Sequence, residues 1–113
     1  AHGAQSIVPF AALEECRMMH EKGFITSGER NGEKVPGFDK GNSPFEYMSD
    51  EIKGQRIAFT TTNGTQAIEK ARYAKEVIIG SFLNLSSVAK YLLLGENSVL
   101  VVCAGWKGRV NLE

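Results

Sequence analysis

Short apolar segments alternate with segments of helical periodicity along most of this chain. The apolar segments have the length of buried strands and lie at residues 6–10, 24–26, 57–59, 76–82 and 98–104. Predicted helices separate them at residues 11–22, 66–71 and 84–94. Predominantly apolar strands that alternate with helices are typical of a sheet covered by helices on its faces. The pattern therefore predicts an α/β fold, a layered α/β/α arrangement around a mostly parallel or mixed sheet.

The length of the chain bounds its organisation. With 113 residues, it has room for one small domain with a single core. We assign residues 1–113 to one α/β domain or part of one. The chain begins at Ala1 with what resembles a final helical turn and stops at Glu113 shortly after a loop. We therefore expect a fragment of a larger α/β protein.

Charge and cysteine usage narrow the class of protein. Thirteen basic and thirteen acidic residues give zero net charge, whereas a nucleic-acid-binding domain usually shows a basic excess. No apolar run approaches the roughly 18–20 residues of a membrane span. Cys16 lies in a helical pattern and Cys103 ends an apolar segment, so no disulfide is indicated. We expect a cytoplasmic protein with no nucleic-acid or membrane partner, and homo-oligomerisation is left open.

A strand, a polar turn and a helix start follow one another after residue 56. The apolar segment 57–59 leads into a turn of three threonines, asparagine and glycine. The residues with a predicted role in binding are Thr61, Thr62, Asn63, Gly64 and Thr65. Exposed amides, hydroxyl donors and a helix dipole suit an anion, and Thr65 is the predicted helix N-cap. The alternative is an ordinary strand-to-helix loop whose threonines only cap the helix.

A long polar segment covers residues 27–47 and holds most of the chemistry-bearing side chains. Phe38, Phe45 and Tyr47 give it aromatic groups that dock, so we expect it to be ordered. The run Ser43-Pro-Phe-Glu46 has the spacing of a capping box with proline at the first helical position. It predicts a short helix there.

Four polar, glycine-containing turns follow predicted strand ends, at residues 27–30, 60–65, 80–84 and 103–108. In a parallel sheet such turns converge on one edge, where ligands bind. Ser81 and Asn84 add neutral hydrogen-bonding groups in the third turn, although Asn84 also suits a helix N-cap. We expect a single site at this edge.

Two kinds of chemistry compete for that site. Asp39 and Glu29 are carboxylates suited to Mg²⁺, and Arg30 is suited to clamping an anion; the alternative is a surface salt bridge between Arg30 and one of the two carboxylates. Cys103 and Arg109 have the five-residue separation of cysteine phosphatases. A buried core cysteine is the commoner occurrence.

Five ordered motifs resemble the 2-phosphosulfolactate phosphatase family over nearly the whole chain. They are Ser27-Gly-Glu-Arg30, Gly37-Phe-Asp-Lys-Gly-Asn-Ser-Pro44, Thr61-Thr-Asn-Gly-Thr-Gln-Ala67, Gly80-Ser-Phe-Leu-Asn84 and Val102-Cys-Ala-Gly-Trp-Lys-Gly-Arg-Val-Asn-Leu-Glu113. The resemblance implies a Mg²⁺-dependent phosphatase of coenzyme M biosynthesis that converts 2-phospho-3-sulfolactate to sulfolactate and phosphate. It also implies family segments before and after this chain.

The resulting hypothesis assigns Asp39 and Glu29 to the metal or to the catalytic base, on residue chemistry rather than on the resemblance. The predicted substrate-binding residues are Arg30, Asn42, Ser43, Thr61, Thr62, Asn63, Gly64, Thr65, Ser81, Asn84, Cys103 and Gly105. The predicted partner is a small anionic substrate carrying phosphate and sulfonate groups, and the predicted cofactor is Mg²⁺. The alternatives are a non-catalytic α/β module that binds an anionic metabolite or a partner, and a cysteine-dependent phosphatase using Cys103 and Arg109.

Overall fold

The computed structural model describes residues 3–106 and 108–110. A sheet of four strands organises it: β1 (Ser6–Pro9), β2 (Ile25–Arg30), β3 (Glu33–Lys34) and β4 (Arg56–Thr60), in the order β1-β4-β2-β3. The helices are α1 (Leu13–Met18), α2 (Gly64–Ala71) and α3 (Leu85–Leu93). Short 3₁₀ helices span His20–Lys22, Pro44–Tyr47 and Asp50–Ile52. The predicted α/β class with a mixed sheet is confirmed.

Strand β4 lies in the middle of the sheet and fixes the direction of its neighbours. It pairs in parallel with β1 (Ile7 beside Ile57) and with β2 (Thr26 beside Ala58). Only β3 runs antiparallel, returning from β2 through a tight hairpin. The carboxyl ends of β2 and β4 consequently lie side by side, with Gly28 opposite Thr60.

The core forms where α1 packs on the sheet. Cys16, Val35, Phe38 and Ala58 form one buried cluster. Partly buried apolar side chains surround the cluster: Phe10, Leu13, Met19 and Phe24. Two of the four core residues come from the long polar segment, and burying Phe38 alone contributes about 2–3 kcal/mol. That segment is therefore ordered, as predicted.

Gly28 is needed where β2, β4 and Phe38 meet. A Cβ at this position would lie 2.8 Å from Thr60 Cγ2, 3.0 Å from Thr60 O and 3.1 Å from Phe38 Cε2. No side chain fits that space without displacing a neighbour. The strand conformation of residues 27–30 also corrects the prediction of a turn there.

Two expected strands are not formed. Among the described residues, segments 76–82 and 98–104 do not enter the sheet, and side chains such as Ile79 and Leu100 are exposed. An apolar segment becomes a strand only when its amides and carbonyls pair with a neighbouring strand. These two segments have no such neighbour among the described residues. No helix in the described part of the chain has the length and apolar character needed to cross a membrane.

Candidate functional site

A cleft of about 400 Å³ opens at the carboxyl ends of β2 and β4. We call it the hairpin cleft; it is lined by Glu29, Asn31, Gly32, Thr62, Asn63 and Trp106. Three of the four turns predicted to converge contribute to this edge: the end of β2, the turn after β4 and the segment around residue 106. The residues of the third predicted turn, 80–84, do not line it.

A second cleft, of about 420 Å³, adjoins the first. We call it the helix cleft; it is lined by Thr62, Asn63, Gln66, Ala67, Lys70, Val102, Cys103, Ala104 and Gly108. Thr62 and Asn63 belong to both clefts and form the wall between them. Among the lining residues that the structure describes, the hairpin cleft has one carboxylate, on Glu29, and the helix cleft has one ammonium group, on Lys70.

The hairpin between β2 and β3 places the carboxylate of Glu29 in the hairpin cleft. Asn31 and Gly32 form its turn with φ values of 56° and 85°, the left-handed conformation that Asn-Gly sequences favour. The amide of Gly32 then donates to Glu29 Oε1. The sequence analysis did not identify Asn31 or Gly32, although Asn-Gly is the local signal for this turn.

The turn after β4 is held by hydrogen bonds between two threonines, Thr61 and Thr65. The Thr65 hydroxyl donates to Thr61 O (2.9 Å), and the Thr65 amide donates to Thr61 Oγ1 (3.2 Å). Helix α2 begins at Gly64 with Asn63 at the N-cap position, so Thr65 is a residue of the first turn and not the cap. Thr61 and Thr65 therefore shape the turn, while Thr62, Asn63 and Gly64 stand at its tip.

Thr62 carries the clearest sign of a ligand. Its hydroxyl oxygen is buried and has no hydrogen-bond partner among the described residues. Leaving a buried hydroxyl unsatisfied costs about 1–3 kcal/mol. Because Thr62 lines both clefts, a bound molecule whose oxygen reaches this hydroxyl would satisfy it.

Arg30 is fixed at the same end of the sheet. Its guanidinium donates to Glu29 O (2.7 Å) and to Thr60 Oγ1 (3.0 Å). It makes no ion pair with Glu29 or Asp39 within the described chain, so the predicted alternative of a surface salt bridge is not formed. Arg30 does not line either cleft. Its guanidinium is instead bound to Glu29 and Thr60 near the ends of β2 and β4.

The carboxylate of Asp39 is hydrogen-bonded to Thr26, and Asp39 lines neither cleft. Its Oδ2 atom accepts from the amide and hydroxyl of Thr26 (2.7 and 2.8 Å) and lies 3.3 Å from His20 Nδ1. Desolvation raises the pKa of Asp39, but the Thr26 hydrogen bonds and His20 outweigh it, so the net pKa is lowered. Thr26 and Glu29 are about 10 Å apart along a strand and point to opposite faces. The structure therefore does not bring Asp39 to Glu29.

The remaining polar residues of the prediction lie outside the two clefts. Asn42 and Ser43 are exposed, and Ser43 precedes a 3₁₀ helix without the predicted side-chain cap, because Glu46 instead accepts from the Gly41 amide. Asn84 is at the N-cap position of α3, yet its Oδ1 accepts from the Ser81 amide and hydroxyl. These contacts are local, and their binding roles stay predictions.

Cys103 lines the helix cleft and is exposed, unlike the buried residue that its apolar context favoured. Arg109 exchanges two main-chain hydrogen bonds with Trp106, each of 3.0 Å. Gly105 enters this turn with φ 64°, and a Cβ there would collide with Arg109 O. The loop therefore closes on itself here, and these two amides are unavailable to a phosphate.

The hairpin cleft has the ligand types for a magnesium ion shared with a substrate. Mg²⁺ is commonly held by one or two carboxylates together with water and substrate phosphate oxygens, and Glu29, Asn31 and Asn63 line the same cleft. The described residues contain no group of three or more His, Cys, Asp or Glu able to form an all-protein metal cage. Glu29 thus fits a substrate-shared ion.

Comparison with known proteins places this geometry in a family. The family model described as 2-phosphosulpholactate phosphatase matches residues 1–113. A probable 2-phosphosulfolactate phosphatase of Thermotoga petrophila is 48% identical over 113 residues, covering 100% of this chain and 49% of the relative.

Two other relatives bear the same printed name. One, from Carboxydothermus hydrogenoformans, is 41% identical over 115 residues. The matched region includes 100% of this chain and 48% of the relative. The other, from Caldanaerobacter subterraneus, is 40% identical over 116 residues. The matched region includes 99% of this chain and 48% of the relative. The chain spans about half the length of the curated relatives it matches. It belongs to the 2-phosphosulpholactate phosphatase family.

Proposed function

We propose that the protein carrying this chain is a Mg²⁺-dependent phosphatase that hydrolyses 2-phospho-3-sulfolactate. The observation that supports it is that Thr62, whose buried hydroxyl has no partner among the described residues, lines the same cleft as Glu29. The names of the relatives support the choice of substrate. The balanced reaction adds water across the ester, breaks one phosphorus–oxygen bond and releases 3-sulfolactate and inorganic phosphate.

The residues of the hairpin cleft have distinct proposed roles. Glu29 would hold the metal, with the carboxamides of Asn31 and Asn63 as further oxygen ligands or donors to substrate. Bound Mg²⁺ supplies charge neutralisation at the phosphoryl oxygens. Thr62 donates its hydroxyl to the phosphate. The amides of Gly64 and Gln66, which the first turn of α2 does not use, add positive potential.

Arg30 and Asp39 act on the site from outside the clefts. Arg30 fixes the Thr60 hydroxyl and the Glu29 carbonyl, which positions the ends of the two strands. Asp39 anchors the long loop on Thr26. We further propose that the reaction serves coenzyme M biosynthesis and takes place in the cytoplasm, where two free cysteines are stable.

Phosphate release from an aryl phosphate, with and without EDTA, tests the chemistry. Release that EDTA abolishes and Mg²⁺ restores is the expected result. Release that resists EDTA but disappears on alkylation would assign the chemistry to Cys103. Absence of release from both the aryl phosphate and 2-phospho-3-sulfolactate would favour the non-catalytic module.

A further inference from the structure

Among the described lining residues, Lys70 gives the helix cleft a positive charge that the hairpin cleft does not share. It lies on α2 one turn after Gln66, so both side chains share one face of the helix, and both line this cleft. Gln66 is held in place, since its Nε2 donates to Ala11 O at 3.1 Å. Lys70 forms no ion pair with any carboxylate in the described part of the chain.

The two clefts are therefore electrostatically different sides of one site. Glu29 makes the hairpin cleft unfavourable for a bare anion but suitable for an anion that carries a divalent cation. Lys70 makes the helix cleft suitable for an anion without a metal, because an ammonium group binds tetrahedral oxyanions as a point charge. The clefts adjoin at Thr62 and Asn63, which line both, so one small molecule could place an anionic group in each.

We infer that Lys70 is a specificity-determining residue, which binds the second anionic group of the substrate while Glu29 and its metal receive the phosphate. The inference rests on the proposed function and deepens it. The proposed substrate carries a carboxylate and a sulfonate besides its phosphate, and we assign Lys70 to the sulfonate, a weakly metal-binding anion whose sulfur lies two bonds from the carbon that bears the ester oxygen. Thr62 and Asn63, which line both clefts, would lie between the two ends of such a molecule.

Substrate pairs test this assignment in the whole protein. We compare kcat/KM for 2-phospho-3-sulfolactate and for 2-phospholactate, which lacks the sulfonate, in wild type and in Lys70→Met. Losing one charge-assisted contact lowers kcat/KM for the sulfonated substrate by about 10- to 100-fold. The value for 2-phospholactate changes by less than about threefold. Equal losses on both substrates, or no loss on either, would overturn the inference.

Lys90→Met is the matched control, since Lys90 is an exposed helical lysine that lines neither cleft. It should leave both kcat/KM values unchanged. A parallel loss in this control would show that the effect of Lys70 is a general effect of net charge and would contradict a specific contact.

Binding of 3-sulfolactate and of lactate, measured by calorimetry, separates this inference from the proposed function. If the protein hydrolyses neither phosphate ester, the proposed function fails, yet a Lys70-dependent preference for 3-sulfolactate over lactate would still support the anion contact. If hydrolysis occurs but Lys70→Met binds 3-sulfolactate as tightly as wild type, the proposed function stands and the Lys70 inference fails.

Discussion

The Asp39 carboxylate is bound by Thr26 twice, through the main-chain amide at 2.7 Å and the hydroxyl at 2.8 Å. The Thr26 hydroxyl also accepts from the Asp39 amide at 3.3 Å. Residues 38–41 are thereby attached alongside β2, where Lys40 forms a bridge with Ser27. This relationship gives the aspartate a role in holding the long loop on the sheet.

The Asp39–Thr26 contact predicts a pH dependence of stability. Since the pKa of Asp39 is lowered in the fold, its stabilising contribution is present above the unfolded pKa of about 4. It is lost as the pH falls below that value toward the folded pKa. We expect Asp39→Asn to lower the unfolding free energy at pH 7 and to remove this part of the acid dependence.

Urea denaturation between pH 3 and pH 7 measures this effect. The control is Asp50→Asn, at the other aspartate of the chain. Asp50 is exposed, so its variant should follow the wild-type profile. A profile of Asp39→Asn that parallels wild type would show that the contact contributes nothing to stability.

Gly28→Ala should destabilise the fold by about 1–3 kcal/mol, because the added methyl meets Thr60 and Phe38 in a packed region. Gly80→Ala is the control: nothing lies within 4 Å of a Cβ there, and the expected change is within about 0.5 kcal/mol. Thermal or denaturant unfolding compares the two. Equal effects would contradict the packing around Gly28.

The two cysteines should differ in reactivity. Cys103 is exposed, whereas Cys16 is fully buried and burial raises the pKa of its thiol. Iodoacetamide should therefore modify Cys103 in the folded protein and leave Cys16 unmodified until urea is added. Peptide mass spectrometry measures both sites. Equal labelling of Cys16 under native conditions would contradict the described core.

The Cys103 thiol should not be needed for turnover. Cys103→Ser should retain phosphatase activity within about threefold, since the metal-dependent chemistry uses oxygen ligands and water. Alkylation of Cys103 adds bulk inside the helix cleft, so the alkylated wild type should be slowed more than the serine variant. Complete loss of activity in Cys103→Ser would restore the thiol mechanism.

Apolar periodicity and turn residues predicted those parts of the fold that neighbouring residues in the sequence determine. The apolar strand 57–59, the ordered loop around Phe38 and the convergence near Thr62 all follow from periodicity and turn chemistry. The Asn31-Gly32 hairpin carried a local signal that was not used. Trp106 belongs to the predicted turn at residues 103–108, whereas Lys70 had no such signal, because tertiary packing alone brings it to the helix cleft.

Two expected strands are not formed, and one expected pairing of side chains is not observed, each for a physical reason. The segments 76–82 and 98–104 have strand-like composition, but strand pairing needs a neighbouring strand, and the described residues do not supply one. Asp39 was assigned to the metal with Glu29 because both are carboxylates in one polar segment. The strand between them separates the two side chains, and Asp39 bonds to Thr26 instead. We therefore propose Glu29 as the metal residue, and a catalytic or metal role of Asp39 stays a prediction.

The central claim is that Glu29 holds Mg²⁺ for a phosphate bound at Thr62. Its most direct test is the Mg²⁺ dependence of 2-phospho-3-sulfolactate hydrolysis in wild type, Glu29→Gln and Glu33→Gln, where Glu33 is the exposed carboxylate of the same hairpin. Glu29→Gln should lower kcat/KM by at least about 100-fold and raise the Mg²⁺ concentration for half-maximal rate about tenfold or more. Glu33→Gln should match wild type. An unchanged Mg²⁺ dependence in Glu29→Gln would contradict the claim.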